Sequence, residues 1–134
     1  MLPKPEPCRV CPLAGDMKGF VPDEIRDDAL VQIHAQGPGS VEEREGKPKV
    51  GPTGQLEEQQ FFPLAGLTRE TVSLSNALRC RWINEQGKRT DKLPPPKVLA
   101  QAVDYCQRTY FRVGASTKLI IAQGDPAWHS LGGQ

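Results

Sequence analysis

Four cysteines are the residues of this chain best suited to do chemistry: Cys8 and Cys11, two residues apart, then Cys80 and Cys106. A C-x-x-C pair on an irregular segment turns both sulfurs to one side, so two thiolates can meet one metal centre. Two thiolates from elsewhere complete a set of four, which suits a zinc tetrahedron or a [4Fe–4S] cube alike. Cys80 and Cys106 stand singly, whereas a zinc ribbon repeats the C-x-x-C spacing in its second half. The ordinary alternative is four unrelated buried thiols. Met1-Leu-Pro-Lys-Pro lacks the apolar stretch of a signal peptide. No run approaches the roughly 18 apolar residues that span a membrane. The chain therefore reads as cytoplasmic, a compartment that favours thiol ligands over disulfides.

The elements that must position these thiols are short. Residues 1–15 form an extended, proline-rich arm. Ala29 to His34 reads as a buried strand ended by the turn Gly37-Pro38-Gly39, and residues 40–53 as a charged loop. Gln55 to Leu64 has helical apolar spacing closed by Gly66, and Thr71 to Ser75 alternates as a strand. Arg81 to Pro96 reads as a long polar loop, Val98 to Phe111 as a helix carrying Cys106, and Leu119 to Ala122 as a third strand. A short helix over Pro126 to Leu131 ends the series, with Trp128 and His129 as packing residues. Apolar strands separated by helices predict a parallel sheet covered on both faces.

The chain has 134 residues, enough for one domain with a core, yet only 37% are hydrophobic and Gly and Pro number 13 each. Such a composition implies many turns, held by something besides apolar burial. Net charge is +1, so bulk electrostatics do not announce a nucleic-acid partner. From Arg79 to Arg112, however, eight Lys/Arg face three acids. Arg79, Arg81, Lys88 and Arg89 could neutralise phosphates there, and Trp82 could stack on an unpaired base or anchor the core.

The ordered motifs carry a resemblance. Cys8-x-x-Cys11-Pro12-Leu13 is followed by Gly37-Pro38-Gly39 and by Gly46-Lys-Pro-Lys-Val-Gly51-Pro-Thr-Gly54-Gln55-Leu56. Next come Ser75-Asn76-Ala-Leu-Arg-Cys80-Arg81 and Leu119-Ile-Ile-Ala-Gln-Gly124. In this order the chain resembles the iron–sulfur (family 4) uracil-DNA glycosylases along nearly its whole length. The resemblance implies a [4Fe–4S] cluster on Cys8, Cys11, Cys80 and Cys106, with zinc as the alternative. It implies a three-layer α/β/α fold with a small parallel sheet and a uracil pocket at the carboxyl ends of the strands. Residues 1–134 would form one such domain, with a cluster-binding arm at 1–15. Gln36, Gly37, Pro38, Gly39, Lys49 and Asn76 fall at its pocket positions, Asn76 where the pyrimidine edge is read.

Departures from the family pattern are as informative. Members usually read Gly-Glu-x-Pro-Gly where this chain reads Ala35-Gln36-Gly37-Pro38-Gly39. Cleaving an N-glycosidic bond builds positive charge on the sugar and needs an oriented water; a carboxylate serves both needs and an amide neither. Lys49 stands where the family's stacking phenylalanine falls. The His-Pro-Ser loop beyond the fourth strand has no counterpart, since His34 and His129 lie elsewhere. Glu42 and Glu43 are the candidate substitute carboxylates, their ordinary reading being solvated loop acids. The expected function is a glycosylase-like domain that engages single-stranded or uracil-containing DNA in replication or repair. Its excision would be impaired, and it could serve as a module of a larger polypeptide. The other expectations are an active base-excision hydrolase and a cluster-stabilised assembly module.

Overall fold

A computed structural model describes all 134 residues. The arm opens with β1 (Leu2–Pro3), which pairs antiparallel with β2 (Lys18–Phe20), and between them lies a 3-10 turn, Glu6–Val10. The main sheet holds β3 (Val31–Ala35), β4 (Val72–Asn76) and, later in the chain, the strand Leu119–Ala122. Between β3 and β4 lie α1 (Ser40–Glu45) and α2 (Pro52–Leu56), the latter running on as a π-turn over Glu57–Phe61. After β4 come a two-strand ribbon, β5 (Trp82–Ile83) with β6 (Arg89–Thr90), and then α3 (Pro96–Tyr110). β7 (Leu119–Ala122) and α4 (Asp125–Ser130) close the fold.

The sheet is wholly parallel in the order β4-β3-β7. β4 and β7 thus lie on opposite sides of β3, and the chain reverses its winding there. In open α/β sheets the crevice at such a reversal, outside the carboxyl ends of the strands, is where ligands bind.

Two apolar clusters flank the sheet. Ile33, Val72 and Leu74 pack on Phe62 beneath the α2 segment. Ala77, Leu78 and Leu13 pack on Ala102, Val103 and Cys106 of α3. The α/β architecture with a small parallel sheet is the expected one. No helix is long and apolar enough to cross a membrane.

The charged stretch after Gly39 is partly helical rather than a loop. Glu42 accepts the Gly39 N–H at 2.9 Å and so caps α1. The segment 81–96 carries the β5–β6 ribbon within the expected loop. Trp82 packs against the α3 cluster, as a core anchor would. Trp128 and His129 do not pack inside: Trp128 is 52% exposed and His129 is exposed. Both lean on the chain end instead, through Gln134 O and Gly133 O. A six-residue helix buries only one stripe, and here that stripe is Pro126 and Ala127.

Polar side chains fill the inward positions of β3 and β4 that face α4. His34 Nδ1 lies 2.7 Å from Ser75 Oγ, and Nε2 lies 2.9 Å from Ser130 Oγ. Ser130 donates its proton to Ala127 O, so it must accept from an Nε2–H. His34 is therefore neutral, with Ser75 donating to Nδ1. Burial, aided by the charge of Arg79, holds its pKa at about 4 against the ordinary 6.5.

A depressed histidine pKa means that the unfolded chain takes up the proton first. Its stabilising contribution is complete above pH 6.5 and is lost as pH falls toward 4. That loss amounts to up to about 3 kcal/mol. Thermal melts between these limits should show a steeper decline in the wild type than in His34→Gln. Equal slopes would contradict this assignment.

Candidate metal centre and adjoining pocket

The arm turns twice to bring its thiols together. Cys8 N–H bonds Pro5 O and Cys11 N–H bonds Cys8 O, each at 3.0 Å, which winds the C-x-x-C around one side. Cys80 follows β4 after three residues, and Cys106 lies on the buried stripe of α3. All four line one small, largely apolar cavity with Lys4, Arg79 and Tyr110. All four are free thiols. No three His, Cys, Asp or Glu side chains are grouped closely enough to hold a single metal ion.

Burial raises the Cys80 thiol to about 11, opposed by the Lys4 ammonium, and also raises Cys11 and Cys106. Such thiols bind metal only by losing protons that burial alone would keep in place.

Sequence reasoning missed three residues beside the thiols. Lys4 is 6% exposed and donates to Leu13 O at 2.5 Å and Ala14 O at 3.1 Å. Tyr110 Oη lies 3.1 Å from Cys8 Sγ. Asp23 receives Arg79 through Nε at 3.1 Å and Nη2 at 2.5 Å. The proline-flanked lysine just ahead of Cys8 was the one readable signal, because a charge tied into a rigid arm points where the arm points.

The basic cluster expected to face phosphates is mostly turned inward. Arg79 is 1% exposed and its Nη1 lies 3.2 Å from Cys106 Sγ, so it serves the thiol centre and cannot reach DNA. Arg81 and Arg89 share the buried Glu43, each at 3.1 Å, with further partners in Asp91 and Asp16. Lys88 alone of the four is exposed. Glu43, 4% exposed, is likewise no solvated loop acid: it clamps the β5–β6 ribbon to α1. It does not line the pocket.

That pocket lies at the carboxyl ends of all three parallel strands. It is lined by Ala35 from β3 and Gln36 after it, Asn76 from β4 and Gln123 after β7, with Gly37, Gly39, Glu42 and Lys49 around them. Its volume of about 580 Å³ falls in the usual range for small-molecule sites. Pro38 is buried beside it and lines the adjoining groove toward Trp82.

Asn76 is 2% exposed, and its Oδ1 has no hydrogen-bond partner. Unpaired buried polar atoms are rare in folded proteins, and this one belongs to a residue that lines the pocket.

Lys49, at φ 53°, directs its ammonium to Glu57 at 2.8 Å and Gln123 Oε1 at 2.5 Å. Only glycine fits at 54, where a Cβ would stand 2.1 Å from Lys49 O. The Glu42 carboxylate accepts the N–H groups of Gly39 and Val50 at 2.9 Å each, and that of Gly51. It ties two loops together beneath the pocket. A Cβ at Gly37 would meet nothing closer than 3.5 Å, in ordinary contact with Leu78.

Fold and site together define a parallel α/β domain with a four-thiol centre beside a pocket at the strand ends. No protein-family model matches the chain. It is similar to type-4 uracil-DNA glycosylases, and the resemblance read from the motifs is a resemblance to these proteins. With the enzyme of Saccharolobus solfataricus it shares 34% identity over 86 residues, 64% of this chain and 40% of that protein. With that of Archaeoglobus fulgidus it shares 31% over 101 residues, 75% of this chain and 47% of that protein. The chain thus spans less than half the length of the curated relatives it matches.

Proposed function

We propose that the chain is a uracil-DNA glycosylase-like domain that holds a [4Fe–4S] cluster on Cys8, Cys11, Cys80 and Cys106. Its pocket receives an unpaired pyrimidine from DNA during repair or replication. The donor set supports the cluster: four cysteines line one cavity, with two buried cations beside them. Four thiolates around a cluster carry excess negative charge, which Lys4 and Arg79 offset. When bound, the cluster supplies covalent ties between the arm, the turn after β4 and α3.

The observation that carries the reading of the pocket is the unpartnered Oδ1 of Asn76. A pyrimidine edge offers the complementary donor, and Asn76 holds its own place because its backbone N–H bonds Asp23 Oδ1 at 3.3 Å. Gln36 places an amide where bond cleavage asks for a charge. The domain therefore binds the base and excises it poorly.

Binding to uracil-containing single-stranded DNA, compared with the same strand carrying an abasic analogue, tests this directly. Asn76→Ala should lose about tenfold or more of that preference, the worth of a hydrogen bond to a buried partner. An unchanged preference in a folded variant would refute the role of Asn76.

A further inference from the structure

Three groups that the pocket does not use converge on the sulfurs. Arg79 Nη1 is 3.2 Å from Cys106 Sγ, and Tyr110 Oη is 3.1 Å from Cys8 Sγ. The Lys4 ammonium is fixed over the same cavity by two carbonyls. Each is held from behind. Asp23 grips two nitrogens of Arg79, and the Tyr110 ring packs on Phe20 with centroids 5.2 Å apart. The Arg79 guanidinium carbon sits 5.7 Å from the same ring's centroid.

We propose that Arg79, Tyr110 and Lys4 form a hydrogen-bonding, positively charged collar that stabilises the reduced form of the thiolate-held cluster, with Asp23 positioning the arginine. The inference rests on the [4Fe–4S] reading above. One-electron reduction adds a negative charge to a centre that is already anionic. Cations and N–H or O–H donors aimed at its sulfurs stabilise the more negative state more strongly, which raises the reduction potential. Burial strengthens the effect, because little water screens these charges. The two sulfurs met by side-chain partners belong to Cys8 and Cys106, so the collar spans the arm and α3. Asp23 also accepts the Asn76 N–H, so one carboxylate positions both the collar and the edge of the pocket.

The test uses the whole chain purified without oxygen. Iron and sulfide are counted first, and then the midpoint potential is measured by dithionite titration with mediators, followed by electron paramagnetic resonance. Tyr110→Phe removes only the hydroxyl, Lys4→Gln removes a charge, and Arg79→Lys keeps a charge but loses the fork. In variants with wild-type iron content, the reduced fraction at a fixed potential should fall about tenfold, equivalent to 59 mV for one electron. If Arg79→Lys does not fold, the near-isosteric Tyr110→Phe still decides the matter. Fully loaded Tyr110→Phe and Lys4→Gln with wild-type midpoints would overturn the collar and leave the cluster standing. Wild-type protein without iron would overturn the cluster itself, and the collar with it.

Discussion

Uracil should leave single-stranded DNA at close to the uncatalysed rate when this chain is supplied as the glycosylase. Three features at one pocket argue for this. Gln36 puts a neutral amide just past the end of β3, and Gly37 adds no side chain. Glu42, the one carboxylate lining the pocket from α1, is held by three backbone N–H groups as a loop tie. Lys49 spends its ammonium on Glu57 and Gln123 and offers no ring on which a base can stack. General-base and electrostatic contributions are each worth on the order of a hundredfold to a thousandfold. Their combined loss reaches background even though such losses do not multiply cleanly. Gln36→Glu alone should recover little, because the stacking surface and the oriented water are still missing. Excision at a rate comparable to that of an active type-4 relative would contradict this. Glu42→Gln would then show whether the loop tie doubles as the base.

Cys106→Ala should yield no soluble, iron-bearing protein. Ten of the fourteen buried hydrophobic residues fall in two small clusters of six and four, and Cys106 belongs to the larger. Without its fourth thiolate the proposed cluster would no longer tie α3 to the arm, and the Arg79 guanidinium would lose a partner inside the protein. A domain with so modest a core depends on such a staple. Comparing soluble yield and iron content with those of Cys106→Ser separates loss of the ligand from loss of packing. A soluble Ala variant with full iron content would show that Cys106 is not a ligand.

The strands were legible in the sequence because Val31–Ala35, Val72–Asn76 and Leu119–Ala122 are short runs punctuated by turn residues. So were α3 and the grouping of the four cysteines on one cavity. What failed was reading charge locally. Arg79, Arg81 and Arg89 look like a basic patch beside Cys80, yet their partners Asp23, Glu43 and Asp16 lie at least 38 residues away in sequence. Only the folded chain brings them together. Long-range pairing also hid α1, since four of the six residues of Ser40–Glu45 are charged and the helix gains from the local Glu42 cap and from burial of Glu43 against Arg81 and Arg89. It also changes how DNA contact should be probed. Reversing Arg81 and Arg89 to Glu would set carboxylates against buried Glu43, and breaking a buried pair costs about 3–5 kcal/mol. A charge reversal at exposed Lys88 is the cleaner variant.

A glycosylase-like scaffold built around an iron–sulfur cluster must hold iron and sulfide in fixed amounts. Counting metal and acid-labile sulfide in protein purified without oxygen, after expression with ample iron, tests it most directly. Brown protein with about four irons and four sulfides per chain is the expected result. One tightly bound zinc per chain, with no iron, would contradict it.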